Sequence, residues 1–367
     1  MTKRIGFACK YLHHNQTLKP KLLEDIQRPY NEKTTTITWL NNQKRSVAEE
    51  RLYDIVKHNA LALERLIRYV GSLAPELRMV RIGSGLLPAY THRDWDYFYR
   101  QEHIRTWLDR NYSNIGKIAR ELDVRLSMHP GQFTVLASDN PDIVRNSLEE
   151  FEYHADIIRW MGYGKSWQDF KCNVHISGKR GPEGIKAVLP RLSPEARNTI
   201  TIENDENSWG LDASLELMND VPLVLDIHHH LIHTGGEYIE HNDDRVRRVI
   251  DSWRGVRPVI HFSQSCEELL HSCDPTLRPD YQVLLREGYK KQKLRAHSDY
   301  CWNHALNEWC LEFWDEFDIM VEAKMKNLAS AQLYATAQDL ERQQLRKRRE
   351  DTVSPVLEPK ADTTTYV

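Results

Sequence analysis

The sequence predicts an α/β protein whose strand–helix repeats close into a (β/α)8 barrel of the TIM class, and three observations lead there. Eight short apolar segments recur along the chain, helical periodicity fills the gaps between them, and the later segments each end in His, Asp or Glu. Parallel strands buried on both faces read as short apolar or β-branched runs rather than as alternating ones. Strands that alternate with helices feed a parallel sheet, and eight repeats suffice to close it. A doubly wound open sheet is the competing architecture, but no GxGxxG follows the first segment.

The eight segments are Arg4–Cys9, Met79–Ile82, Arg125–Met128, Cys172–Ile176, Ile200–Ile202, Leu223–Leu225, Val259–Phe262 and Asp318–Val321. Between the first two, Ala48–Val70 repeats Leu52, Ile55, Val56, Leu63, Leu66, Ile67 and Val70 at helical spacing. Ile143–Trp160 does the same, as does Asp244–Trp253 more briefly. Residues 264–297 break the repeat: they form a long polar insertion interrupted by Pro275 and Pro279, read as a lid or surface elaboration. The barrel domain is drawn as residues 1–327, followed by a polar helix and flexible tail over 328–367. The RKRR run in that helix reads as a solvated face rather than a phosphate site.

Composition sets the outer bounds. With 40 % hydrophobic and 28 % charged residues the chain is globular rather than disordered. No stretch approaches the roughly 18 consecutive apolar residues that a membrane span requires. The opening MTKRIGFACKYLHHNQ lacks an apolar signal core, so no membrane and a cytoplasmic location are expected. Six cysteines without a CxxC pair read as reduced. A formal charge of −3 carries no global nucleic-acid signature, although a local basic groove can sit inside a balanced total.

The chemistry lies in the residues at the end of each strand. SMHPGQ places His129 and Gln132 after strand three, NVHISG places His175 after strand four, and TIENDE places Glu203 and Asp205 after strand five. VLDIHHH contributes Asp226 with His228, His229 and His230, VIHFSQ contributes His261, and IMVEAK contributes Glu322. His92 lies beyond strand two in RIGSGLLPAYTH, and His297 lies in HSDY. In a barrel these positions converge on one mouth. Imidazole and carboxylate together are a ligand set for Zn, Mn or Fe. Taken singly, each residue is explained as a hydrogen-bonded polar group or an ion-pair partner. So many ligand types at one end of a barrel point instead to a metal cluster, in which Glu203 and Glu322 can bridge ions. Asp226 and His229, three apart, both reach it only if the chain turns out of its strand between them. Such a cluster polarises a phosphoryl oxygen and lowers the pKa of bound water to roughly 7. A Ser263–His261–Asp226 triad lacks the nucleophile-elbow context.

In this order the strings RIGFACK, RIGSGLLP, SMHPGQ, HISG, IENDE, VLDIHHH, HFSQ, HSDY and VEAK resemble the UV damage endonuclease family, across about residues 1–327. That family is related to the apurinic endonuclease class of TIM-barrel metal nucleases. The resemblance implies a DNA-repair endonuclease that hydrolyses the phosphodiester immediately 5′ to UV photoproducts and other lesions by metal-activated water. Its partner would be lesion-containing double-stranded DNA, and a monomer is expected. Carried over by position, the metal ligands are His129, His175, Glu203, Asp226, His229, His261, His297 and Glu322. They imply two to three divalent ions, Mn2+ first, with Mg2+ or Zn2+ as alternatives. Glu203, His92 and Glu322 match catalytic positions. Phe7, Gln132 and Phe133 match lesion-probing positions, where an apolar wedge fills the gap left by displaced bases.

The chain also departs from the pattern. Val259 stands where the family usually has a carboxylatable Lys, so a third ion would rest on His229, His261, His297 and water. Phe7 and Phe133 stand where Tyr is common. The residues alone leave other readings open: a xylose-isomerase-like isomerase or epimerase with a small closed pocket, an iron-dependent peptide-modifying oxidase, or a damage binder that does not cut.

Overall fold

The computed structural model describes residues 2–352; the segment 353–367, expected from its composition to be a flexible tail, lies outside the described residues. Eight parallel strands, β1 (Ile5–Ala8), β2 (Met79–Arg81), β3 (Arg125–Met128), β4 (Lys171–His175), β5 (Ile200–Glu203), β6 (Leu223–Asp226), β7 (Val259–Phe262) and β8 (Asp318–Val321), pair in chain order. β8 closes on β1 through Ile5↔Ile319 and Phe7↔Val321, which makes the (β/α)8 barrel that the pattern predicts. The long helices Arg45–Gly71, Glu102–Glu121 and Pro141–Trp160 bury apolar stripes in the core around it.

The barrel interior changes character along its axis. Met79, Val224, Val259 and Met320 pack with Trp253 in a small apolar cluster. Beyond it the buried side chains turn polar: Lys171, Asn173, Thr201, Glu203 and His261. Val259 is therefore part of the apolar floor, and its side chain is 1 % exposed.

Two of the sequence boundaries take a different form. Helix Lys326–Thr352 buries Ala329, Leu333 and Ala337 and packs on β1 and β8. Its first half is thus the barrel's own eighth helix, and a domain division at 327 runs through it. The insertion is less loose than its polarity suggests. Leu270, Tyr281, Leu284 and Leu294 form a core of their own against Leu231 and Ile232, and an antiparallel bridge joins Ser265 to His297. A few apolar residues spaced among many charged ones anchor it beside the barrel mouth.

Candidate metal centre

Glu203, the last residue of β5, is fully buried at the centre of the mouth, and its two oxygens face different partners. Oε2 lies 3.5 Å from His129 Nε2 and 3.8 Å from His175 Nε2, and accepts a hydrogen bond from Asn173. Oε1 lies 3.0 Å from His261 Nδ1 and 3.4 Å from His229 Nδ1. A carboxylate with imidazoles on both sides has the geometry of a bridge between two cations. Glu322, just beyond β8, places Oε1 3.2 Å from His261 Nδ1 and forms an ion pair with Arg81 at the end of β2.

Asp226 ends β6 and is also the N-cap of helix Ile227–Thr234, so the chain does turn out of the strand between Asp226 and His229. Asp226 Oδ1 accepts the His229 backbone N–H at 2.7 Å. Oδ2 is fully buried and has no hydrogen-bond partner. Leaving such an acceptor unsatisfied costs on the order of 1–3 kcal/mol. A cation would satisfy it, so the donor set fits a metal. Among the described residues, His129–His175–Glu203, Glu203–Asp226–His229 and Asp226–His261–Glu322 each bring their ligand atoms within 4.8 Å of one another.

The outer hydrogen bonds orient the imidazoles. His129 donates from Nδ1 to the Pro130 carbonyl at 2.8 Å, and His297 from Nδ1 to the Glu322 carbonyl at 2.8 Å. His175 Nδ1 faces Asp205 Oδ2 at 3.2 Å, and His229 Nδ1 faces the Asn204 carbonyl at 3.1 Å. An Nδ1 proton given to an oxygen leaves Nε2 as the ligating atom. His261 is the reverse case. Its Nε2 lies 2.8 Å from the buried amine of Lys171, and Nδ1 faces the carboxylates.

Charge at the mouth is strongly biased. Burial opposes ionisation of Glu203, yet His261 and His175 hold it well below the usual carboxylate range. Glu322 behaves likewise, with Arg81 as the main counter-charge to burial. Asp226 goes the other way: burial raises it, only partly offset by His229, and Glu203 and Glu322 raise it further. Burial also disfavours a charged His229, but Asp226, Glu203 and Glu206 outweigh it and raise its pKa to about 10. A pocket that draws a proton onto an imidazole in this way favours a divalent cation equally.

The remaining expected site residues fall in different places. Phe133 is 85 % exposed in the loop after His129, beside Gln132, which lines a cleft of about 160 Å3 together with His129, His175, Asp205, Glu206 and Arg295. His297 belongs to none of the three-ligand groups, and His92 hydrogen-bonds only locally, accepting from the Asp94 N–H at 3.3 Å. Phe7 is a correction. It lies within β1, 1 % exposed in the hydrophobic core, so its ring cannot reach a base at the mouth. The next aromatic, Tyr11, is packed against Tyr30 and Tyr69. An aromatic in an apolar strand reads alike on either face, and pairing with Val80 and Val321 decides its direction.

Several residues of the centre escape a reading of the sequence. Lys171 and Arg81 are signalled only by a charge within a buried strand, a costly placement without partners. Glu206 and Arg295 pair at 2.7 Å although 89 positions separate them, and no local pattern connects them.

Against known proteins, the model of the UV-endonuclease UvdE family matches residues 4–350. UV DNA damage endonucleases of Bacillus mycoides (strain KBAB4) and Bacillus thuringiensis subsp. konkukian (strain 97-27) are 26 % and 25 % identical to this chain; each alignment covers 82 % of it and 87 % of the relative. The crystal structure of SacUVDE shares the fold with a TM-score of 0.69 at 23 % identity, covering 92 % of this chain and 99 % of that one. A match that spans all eight strands of the barrel settles the affiliation: the chain belongs to the UV-endonuclease UvdE family.

Proposed function

We propose that this UV-endonuclease, a DNA-repair enzyme by family, hydrolyses the phosphodiester immediately 5′ to UV photoproducts and other lesions in duplex DNA. It acts as a cytoplasmic monomer using two to three divalent ions, Mn2+ foremost. The observation that carries this reading is Glu203, whose Oε2 faces the Nε2 atoms of His129 and His175 while Oε1 faces His261 Nδ1. His129, His175, Glu203, Asp226, His229, His261 and Glu322 would hold the ions. Ions held there polarise the phosphate and supply a nucleophilic water at neutral pH. The protein itself orients the ligand imidazoles, keeps Glu203 and Glu322 ionised, and presents Gln132 and Phe133 to the duplex. An exposed ring beside the ligands suits insertion against unstacked bases.

The test is incision of a duplex carrying one defined cyclobutane dimer, with Mn2+ and then with EDTA. A product cut directly 5′ of the dimer only when metal is present is the expected result. Binding of the damaged duplex without cutting, across several metals, would favour the non-cleaving reading instead.

A further inference from the structure

Glu206 stands outside the ligand set expected from the sequence, yet its side chain is only 11 % exposed at the edge of the mouth. One oxygen, Oε1, accepts hydrogen bonds from Arg295 Nη1 and Asn207 Nδ2, both at 2.7 Å. The other, Oε2, points at His229 Nε2 from 3.6 Å. This is the arrangement of a ligating carboxylate whose second oxygen is fixed by an outer donor.

His229 supplies the complementary half. Its Nδ1 faces the Asn204 carbonyl, which only accepts, so Nε2 is the ligating nitrogen. Asp226 and Glu203 lie on the Nδ1 side of the ring, at 3.6 and 3.4 Å. Glu206 alone among these carboxylates lies on the Nε2 side. The ring of His229 thus turns its Nε2 donor atom away from Glu203 and toward Glu206. His175, Glu206 and His229 bring ligand atoms within 4.8 Å of one another, and Glu206 and His175 line the cleft beside Gln132.

We infer that Glu206 Oε2 and His229 Nε2 hold an outer divalent ion of the Mn2+ or Mg2+ class, with His175 at its edge and its remaining positions open to water or a phosphate oxygen. An anionic ligand from the loop after β5 would thus join the metal centre. Arg295 of the insertion orients it, which gives that segment a part in the metal centre. With only two ligands of its own, the outer ion binds more weakly than those at Glu203. The inference deepens the metal-dependent function proposed for this site and rests on it.

Counting bound Mn2+ by equilibrium dialysis, with free Mn2+ read by EPR, tests it without recourse to activity. Glu206→Gln should bind one ion fewer than wild type, losing the weakest, while Glu203→Gln loses the tight ones. Arg295→Ala keeps the carboxylate and should keep the ion, bound about 10-fold more weakly. An unchanged count and affinity in Glu206→Gln overturns the inference. So does loss of the same ion in Arg295→Ala at saturating Mn2+, because Glu206 would then serve only to clasp the insertion. Should Glu206→Gln fail to melt cooperatively, Glu206→Asp carries the test: a weakened outer ion supports the site and an unaltered one refutes it. Wild-type protein that takes up no Mn2+ at all would defeat the metal-dependent reading itself, a separate and recognisable outcome.

Discussion

Two buried aspartates at opposite ends of the barrel show how differently one residue type can be used. Asp318 begins β8 and is 1 % exposed. Its Oδ1 accepts from the Arg4 N–H at 2.8 Å and from Arg257 Nε at 2.7 Å, and its Oδ2 from Arg125 Nη1 at 2.6 Å. Asp226 ends β6 and is equally buried, but one of its oxygens has no partner and its neighbours are imidazoles and further carboxylates. At the N-terminal end guanidinium charges neutralise the carboxylate permanently and tie three strands together. At the C-terminal end the Asp226 carboxylate has no such guanidinium partner, and one oxygen stays free to take the proposed cation.

The largest effects that would test this contrast are catalytic. His129→Ala, Glu203→Gln and Glu322→Ala are each expected to lower dimer incision by more than about 100-fold. Glu322→Ala also strands the Arg81 guanidinium and should lower the melting temperature, so incision is scored per folded molecule. Full activity in Glu322→Ala would remove that residue from the ligand set. The matched pair comes next. Asp318→Asn should cost about 3–5 kcal/mol in urea unfolding by stranding two guanidiniums, with incision per folded molecule unchanged. Asp226→Asn, which retains the helix cap, should leave stability intact and abolish cutting. If the two variants behave alike, the contrast between the ends of the barrel fails.

A third prediction concerns pH and a histidine outside the candidate ligand set. His154 is fully buried on helix Pro141–Trp160, and burial lowers its pKa from 6.5 to about 4, partly offset by a hydrogen bond to the Glu150 carbonyl. The folded state therefore binds this proton more weakly than the unfolded chain. The resulting stabilisation is complete above pH 6.5 and is lost as pH falls toward 4, about 3 kcal/mol in all. Urea melts of wild type and His154→Gln across that window should show the wild-type slope reduced in the variant. The smallest expected effect is at Phe133. Phe133→Ala should weaken binding to dimer-containing duplex by about 10-fold, within the range of one base–aromatic stack, without changing the melting temperature.

Much of this is legible in the sequence because parallel barrel strands announce themselves as short apolar runs. β3, β7 and β8 have the bounds read from the chain, and the others differ by a residue or so. Where the ladder takes in a residue that the reading left out, that residue is polar: Lys171, Glu203 and Asp226 pair because strand hydrogen bonds use the backbone alone. Phe7 misleads for a related reason, since its apolar character is the same whether it faces helices or a lesion.

The sequence by itself determined the fold class, the family, and the order of the candidate ligands around the mouth, because each of these is written in local strings whose positions a closed barrel superimposes. Only the tertiary structure decided which nitrogen of each histidine points inward, that Phe7 belongs to the core, and that Arg295 meets Glu206 beside His229. Those outcomes depend on strand register and on contacts between residues far apart in the chain, and a one-dimensional pattern carries neither.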